Sequence, residues 1–358
     1  MPDRSLPPAP VLVVGAGLLG TSIGLALRRH DVDVALRDVS AENLRIASGL
    51  GAANLADADT DPALVVVAVP PDLVAEQVLV ALRETSAVVT DVGSVKGAPL
   101  AAVAAAAGEQ VRRYVGGHPM AGSERSGPFA ASAALFDGRP WAVAPHHAAD
   151  PDAVAAVTAL AGACGATPVT FTPEDHDRAV ARTSHLPHLL AALVAGRLTD
   201  APRDHLALSG QGVRDVTRIA AGDPGLWQQI VTANADALGT LLRDVRDDVD
   251  TLLSALADGD RPRLAALLDR GVAGTAVIPG KHGGPVREET TVFVAVPDHP
   301  GELARLLADA GELGVNIEDL RIDHDPGREY GLVELSVAAA SVDHLLASLG
   351  DRGWETHR

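Results

Sequence analysis

Val11-Leu12-Val13-Val14-Gly15-Ala16-Gly17-Leu18-Leu19-Gly20 is the stretch that decides the fold. An apolar run of strand length meets glycines spaced G-x-G-x-x-G, and residues 21–29 read as the helix that follows. In that setting Gly15 permits a tight turn, Gly17 lets backbone approach a pyrophosphate, and Gly20 lets helix pack on strand. Together with Leu18 and Leu19 they form a loop whose helix N-terminus offers unpaired N–H groups and a positive dipole end to phosphates. Asp38 closes a second strand over 32–36, about 20 residues further on, where an acid accepts the adenosine ribose hydroxyls. It would repel a 2′-phosphate, so NAD is the expected cofactor. Arg37 beside it pulls toward NADP, and an ordinary strand-end acid is the plainer alternative.

Outward from this loop, strands are expected over 64–69, 87–90, 111–115 and 141–144, alternating with helical segments. That alternation predicts an α/β Rossmann-type doubly wound parallel sheet over residues 1–171. At Thr172-Pro173-Glu174-Asp175 the signal changes to an N-cap, a proline at the first helical position and acids in the first turn. An all-α domain is expected over 172–275. Ile230, Ala237, Leu241, Val245, Val249, Leu252 and Leu256 form one apolar stripe, suited equally to an intrachain core or a subunit interface. Gly280-Lys281-His282-Gly283-Gly284-Pro285 marks a linker within 276–289. Residues 290–358 then read strand, helix, strand, strand, helix, strand, the ferredoxin-like βαββαβ order.

Composition excludes several classes. The 358 residues carry 29 basic and 47 acidic side chains, a net charge of −18, with no basic run. Nucleic acid and anionic membrane are therefore not expected partners. Cys164 is the sole cysteine, so no intrachain disulfide forms. The opening Met1-Pro2-Asp3-Arg4 lacks the basic start and apolar core of a signal peptide. Apolar runs such as 189–195 fall far short of the roughly 20 residues a membrane span needs. A soluble cytoplasmic protein is the expectation.

Four segments carry candidate chemistry. Asp91-Val92-Gly93-Ser94-Val95-Lys96 follows the fourth strand, where open α/β sheets bind ligands; Ser94 is placed to face the cofactor's reactive end, or to cap a helix. In Gly116-Gly117-His118-Pro119-Met120-Ala121-Gly122-Ser123-Glu124, the proline and glycines fix His118 at a strand's carboxyl end. A general base is favoured there over a structural histidine, because neutral imidazole is the usual proton acceptor near pH 7. Ser184-His185-Leu186-Pro187-His188 puts two histidines on one helical face, with a local kink expected where Pro187 lacks an amide donor. No familiar third ligand accompanies them, so no metal is expected. Asp215 and Arg218 are three apart and could pair, orienting the guanidinium toward a carboxylate; a surface ion pair is the commoner fate of such residues.

Read together, these motifs resemble the prephenate/arogenate dehydrogenase family of tyrosine biosynthesis. Gly15–Gly20, Asp91–Lys96, Gly117–Gly127, Ser184–His188, Thr217–Ala220 and Ile278–His282 carry the resemblance, and Pro297-Asp298-His299-Pro300-Gly301-Glu302-Leu303 resembles the strand-to-helix loop of an ACT domain. The resemblance implies that His118 is the catalytic base and that Ser94 orients the substrate hydroxyl. His188, with His185 in the same motif, lies in the substrate pocket. Arg218 binds a substrate carboxylate, held by Asp215, and Glu124 lines the pocket entrance. It also implies NAD as oxidant, prephenate or arogenate as substrate, and a homodimer built through the helical domain. The ACT-like unit implies tyrosine as effector near Gly301 and Asn316, with a ligand-free structural appendage as the alternative. A β-hydroxyacid dehydrogenase would need a lysine in the helical domain, and none occurs between Lys96 and Lys281. A non-catalytic NAD and amino-acid sensor would have no use for a proton acceptor at position 118.

Overall fold

The computed structural model describes residues 6–55, 61–122, 125–278, 289–323 and 330–358. They form two compact units that divide between Leu264 and Ala265.

In the first unit, strands β1 (Val11–Val14), β2 (Val34–Arg37), β3 (Asn54–Leu55), β4 (Leu64–Val67) and β5 (Val88–Asp91) form a parallel sheet in the order β3-β2-β1-β4-β5. Helices α1 (Leu18–Arg28), α2 (Ala41–Gly49), α3 (Pro71–Glu84) and α4 (Gly97–Ala107) accompany it. The unbroken apolar runs of β1 and β4 are explained by burial on both faces. Val11, Val13, Leu64 and Val66 enter one core with Ile23, Leu27 and Trp141. Leu12, Val65 and Val67 enter the other with Val78, Leu82 and Tyr114. Strand order reverses between β1 and β4, which opens a crevice at their carboxyl ends.

A second sheet holds β6 (Gly116–Pro119), β7 (Pro140–Ala144) and β8 (Thr167–Thr170), with α5 (Pro151–Ala163) between the last two. Two expectations are corrected here. The strand expected over 111–115 is a 3₁₀ turn at Gly108–Arg113, followed by a single bridge between Val89 and Tyr114. The extended segment starts at Gly116, runs antiparallel to β7, and contains His118 rather than preceding it. The glycine pair ahead of His118 serves close packing. A Cβ on Gly117 would lie 2.8 Å from the Asp91 carbonyl oxygen and 3.1 Å from Trp141 Nε1.

The helical part comprises α6 (Pro173–Val180), α7 (Leu186–Gly196), α8 (Arg203–Leu206), α9 (Gln211–Arg218), α10 (Pro224–Ala233), α11 (Ala235–Asp258) and α12 (Arg261–Ala276). Thr172 caps α6 by accepting from the Asp175 amide at 3.1 Å, with Pro173 in the first turn. A π-helical turn, Ala181–His185, joins α6 to α7, and the Leu186 amide donates five residues back to Ala181. This widened turn absorbs the amide that Pro187 cannot supply, which is the form the expected kink takes. The apolar stripe is not one helix: Ile230 belongs to α10, and the chain breaks at Asn234 before α11. Leu238 is buried, but Val249 and Leu256 are 47% and 60% exposed, so much of that face is not intrachain core.

The second unit carries β9 (Glu289–Pro297), α13 (Glu302–Glu312), β10 (Ile317–Asp323), β11 (Tyr330–Ala338), α14 (Val342–Asp351) and β12 (Glu355–His357). Its antiparallel sheet has the order β10-β11-β9-β12. Val333, Leu335 and Val337 alternate inward from β11 and pack with Leu306, Leu345 and Leu349 of the two helices.

Candidate active site

The glycine loop after β1 has the shape a dinucleotide requires. Gly15 adopts φ +107°, and a Cβ there would strike the Ala68 carbonyl oxygen at 2.3 Å. A Cβ on Gly20 would lie 1.9 Å from the Gly15 oxygen, so only glycine lets α1 start this close to the strand. Gly17 faces open space, with nothing within 4 Å of a would-be Cβ, which leaves room for phosphate against backbone. The Asp38 carboxylate accepts from the Ala16 amide at 2.6 Å and the Ser40 amide at 2.7 Å, which ties the end of β2 to the loop. Arg37 turns toward Glu84, 4.0 Å away. The loop therefore leaves backbone open at Gly17 and an acid at the end of β2, a geometry that fits NAD.

From this loop a cleft of about 640 Å³ runs between the strand ends and the helical part. One wall carries Gly17, Leu18, Leu19, Ser94, His118 and Met120; the other carries Ser184, His185, Leu226, Trp227 and Ile230. His118 is 9% exposed, and its Nδ1 lies 2.9 Å from His176 Nε2. His176 Nδ1 in turn lies 2.8 Å from Asp177 Oδ1. Asp177 also accepts from the Lys96 and Gly97 amides, both at 2.8 Å, and so caps α4 from across the fold. Burial opposes its ionisation, but the hydrogen bonds from His176, Lys96 and Gly97 outweigh it and hold the carboxyl below its ordinary range.

With one hydrogen on each ring, these contacts set the tautomers. The Asp177 carboxylate can only accept, so the His176 hydrogen is on Nδ1, Nε2 accepts, and the His118 hydrogen is on Nδ1. The remaining lone pair of His118 is on Nε2. Burial, with the neighbouring charges of His176, Lys96 and His185, pushes the His118 imidazolium well below its usual pKa, so the ring is a neutral proton acceptor.

A buried polar cluster steadies this wall from beneath. Lys96 pairs with Asp91, and its Nζ donates to the Gly117 carbonyl at 2.7 Å. The Tyr114 hydroxyl donates to Asp91 Oδ1 at 2.9 Å, and the Gly93 amide to Oδ2 at 2.9 Å. The carboxyl ends of β5 and β6, which carry Ser94 and His118, are thereby locked together. Ser94 lines the cleft but does not cap α4, because that helix starts at Gly97 and its first amides are taken by Asp177.

On the opposite wall the two motif histidines diverge. The His185 ring lines the cleft and meets Trp227 edge to face, with centroids 6.1 Å apart. His188 stacks flat on Trp227 at 3.5 Å, behind that ring rather than on the cleft wall, and bonds the Ile219 backbone. Gly222 makes this possible, since a Cβ there would lie 2.5 Å from Trp227 Nε1. No group of three His, Cys, Asp or Glu among the described residues is arranged to hold a metal ion.

The expected Asp215–Arg218 pair is not formed: Asp215 accepts from Gln211 Nε2 at 3.0 Å, one helical turn back, and both Asp215 and Arg218 are exposed on α9. Glu124 lies outside the described residues, as do Lys281 and His282. Sequence reasoning missed His176, Asp177, Trp227 and Asn234. A signal existed for two of them: a histidine beside an acid in the first turn of α6, and a tryptophan in a chain with three.

A parallel sheet with a phosphate-ready glycine loop, facing a cleft that presents a neutral imidazole, defines a dinucleotide-dependent oxidoreductase. Residues 23–170 match the nucleotide-binding domain of prephenate dehydrogenase, and residues 172–270 match its dimerization domain. The chain is 37% identical over 355 residues to NovF, a probable prephenate dehydrogenase of Streptomyces niveus, covering 96% of this chain and 98% of that one. The crystal structure of prephenate dehydrogenase from A. aeolicus, in complex with hydroxyphenyl propionate and NAD+, superposes with a TM-score of 0.68 at 26% identity, covering 75% and 98% of the two chains. Synechocystis arogenate dehydrogenase gives 0.64 at 28%, covering 74% and 98%. The chain belongs to the prephenate dehydrogenase family.

Proposed function

We propose that the chain catalyses the NAD-dependent oxidative decarboxylation of prephenate to 4-hydroxyphenylpyruvate, with His118 as general base. The observation that carries this reading is the hydrogen-bond chain from Asp177 through His176, which leaves the free lone pair of His118 on Nε2 in a residue of the cleft wall. Bound NAD supplies the hydride acceptor. His118 takes the proton of the ring hydroxyl as hydride leaves the same carbon. The bond to the ring carboxylate then breaks, carbon dioxide departs, and its electron pair completes the aromatic ring. The proton returns from His118 to the phenolate oxygen. Ser94 orients the hydroxyl, and aromatisation supplies the driving force, so the protein needs chiefly to align the groups and handle one proton.

Arg218 is assigned to a substrate carboxylate. It directly precedes Ile219, whose backbone holds His188 behind Trp227, so the end of α9 abuts the aromatic wall of the cleft. Asp215 is assigned to hold that guanidinium in this reading. NADH formation is the test, with kcat/KM compared for prephenate and arogenate. His118→Asn should abolish turnover while NADH still binds, and a variant with near-normal turnover removes His118 from the role of base. Arg218→Ala should chiefly raise KM for prephenate.

The second unit is assigned as an ACT-type module of ferredoxin-like topology. Supporting this are its βαββαβ order and the strand order β10-β11-β9-β12, fourth, first, third and second reading from β12. Gly301 has φ +96° at the start of α13, and Asn316 donates to Glu318 just ahead of β10; this reading assigns the two residues to an effector region for tyrosine. Tyrosine inhibition of prephenate turnover, lost in a chain truncated after the helical domain, tests the assignment. The exposed apolar residues of α11, with Leu193 and Leu208 elsewhere in the helical part, support a homodimer through that domain. Sedimentation equilibrium tests it.

A further inference from the structure

We propose that Gln229 is a positioning residue, which caps α3 from α10 and so sets the tilt of the helix that carries Leu226, Trp227 and Ile230 on the cleft wall. The sequence leaves α3 in need of such a partner. Its N-cap is Pro70, which offers no side-chain acceptor, and Pro71 lacks an amide, so Asp72 supplies the first N–H of the helix. That amide donates to Gln229 Oε1 at 3.3 Å, from a residue 157 positions away. The same arrangement occurs at α4. Lys96 at its N-cap makes no side-chain bond there, and Asp177 of α6 accepts from the Gly97 amide instead. The two helices that start at the carboxyl ends of β4 and β5 are thus both capped by the helical part.

Packing alone does not hold α10 at a fixed height. Beneath it lies a cavity of about 200 Å³, bounded by Val74 and Ala75 of α3, Ala98 and Pro99 of α4, and Ile230 and Ala233 of α10 itself. A close-packed seam would lock the helix, whereas a space of that size leaves it room to tilt. Polar ties decide its position. At the C-terminal end, Asn234 Nδ2 donates to the Asp177 carbonyl at 2.9 Å and to His185 Nδ1 at 3.2 Å. At the N-terminal end, Asp223 accepts from the Leu226 amide at 2.7 Å, a bond within the helix's own first turn. Gln229 lies between, on the face shared by Leu226 and Ile230, so its bond governs how far the residues ahead of Asn234 reach into the cleft. Gly93, Ser94 and Ile230 border both the cavity and the cleft, so a tilt of α10 toward the cavity reshapes the cleft as well. Gln229 itself is not on the cleft wall. This inference rests on the function proposed above and adds a residue that shapes its site from behind.

The test uses the full-length chain with two variants. Gln229→Leu keeps the volume and loses the acceptor; Gln229→Glu keeps an acceptor and adds a charge suited to the start of α3. Titration with NADH alone counts folded sites and reads the cofactor, and calorimetry with 4-hydroxyphenylpyruvate on NADH-saturated protein reads the substrate side without turnover. One hydrogen bond is worth about 3–10-fold, so Gln229→Leu should weaken 4-hydroxyphenylpyruvate binding and raise KM for prephenate by that factor. NADH affinity should not change, and Gln229→Glu should bind 4-hydroxyphenylpyruvate as the wild type does. Unchanged 4-hydroxyphenylpyruvate binding in Gln229→Leu, whether or not its Tm falls, would reduce the bond to a structural cap and overturn the proposal. Equal losses in both variants, or a loss confined to NADH, would also overturn it. Failure of the wild-type chain to oxidise prephenate would refute the function itself, an outcome read separately from the binding comparison.

Discussion

Asp177→Asn is the sharpest test of the hydrogen-bond chain, because it changes almost no volume and removes one charge. The carboxylate satisfies the His176 ring and the Lys96 and Gly97 amides at once. An amide has a single acceptor oxygen and cannot serve all three. Oδ1 serves His176 and the Lys96 amide, while Oδ2 serves the Gly97 amide. An amide oxygen kept on Gly97 therefore turns the new NH₂ toward His176 Nδ1 and forces the hydrogen of His176 onto Nε2. His118 Nδ1 must then accept, its own hydrogen moves to Nε2, and the base loses its lone pair on the cleft side. A correctly placed general base is worth ~10²–10⁴ in rate, and kcat should fall within that range. In the other orientation the oxygen keeps His176 and the Lys96 amide, and kcat is retained. There α4 loses the charge-assisted Gly97 bond of its cap, a stability loss of about 2 kcal/mol. That corresponds to a Tm lower by about 4–8 °C. The assay is NADH absorbance under saturating prephenate and NAD, normalised to sites counted by NADH titration, so that unfolded protein does not masquerade as slow enzyme. KM for prephenate should move little, since Asp177 does not line the cleft. A normalised kcat within about 3-fold of wild type together with an unchanged Tm would refute the reasoning, because one orientation costs rate and the other costs the cap.

The acid limb of kcat/KM should lie below the ordinary histidine value of about 6.5, because burial and neighbouring charges depress His118 and the base must be neutral to work; a limb at or above that value contradicts the assignment. The same depression makes the unfolded chain the better proton binder, so this contribution to stability is present above about pH 6.5 and is lost as pH falls below it, as urea unfolding at several pH values would show. Lys96→Met leaves Asp91 charged and buried, and should destabilise the first unit by about 3–5 kcal/mol; an unchanged denaturation midpoint would mean that the pair is not what locks β5 to β6. Burial pushes the Cys164 thiol up to about 12, so a thiol reagent should label it only on unfolding, and rapid labelling of the native protein would contradict its placement in the core.

The parts of this fold that were legible in the sequence are those set by local rules. The glycine loop, the buried strands β1 and β4, the Thr172 cap and the element order of the second unit all follow from spacing, periodicity or capping chemistry, which act over a few residues. What escaped was set by distant partners. The constraint on Gly117, the close approach of Asp91 and Trp141, comes from residues more than twenty positions away and leaves no local mark. The 111–115 run has the composition of a strand, yet only one bridge to β5 forms there.

The active site divides along the same line, and the division has a physical cause. His118 stands out because proline and glycines mark its surroundings, but the groups that support its proposed role as base are ordinary in sequence. His176 and Asp177 look like solvated first-turn residues of α6, and Asn234 looks like a simple helix break. Each acquires its role by satisfying two partners at once. Asp177 caps α4 while orienting His176, and Asn234 binds the Asp177 carbonyl while setting the His185 tautomer. A residue that joins helix capping to tautomer selection couples the seating of the helical part against the strand ends to the protonation pattern of both cleft walls. Displacement of α6 from α4 would therefore unset His118 and expose the α4 amides together. On this argument the neutral-base geometry belongs to the closed pairing of the two walls, and neither wall would hold it alone.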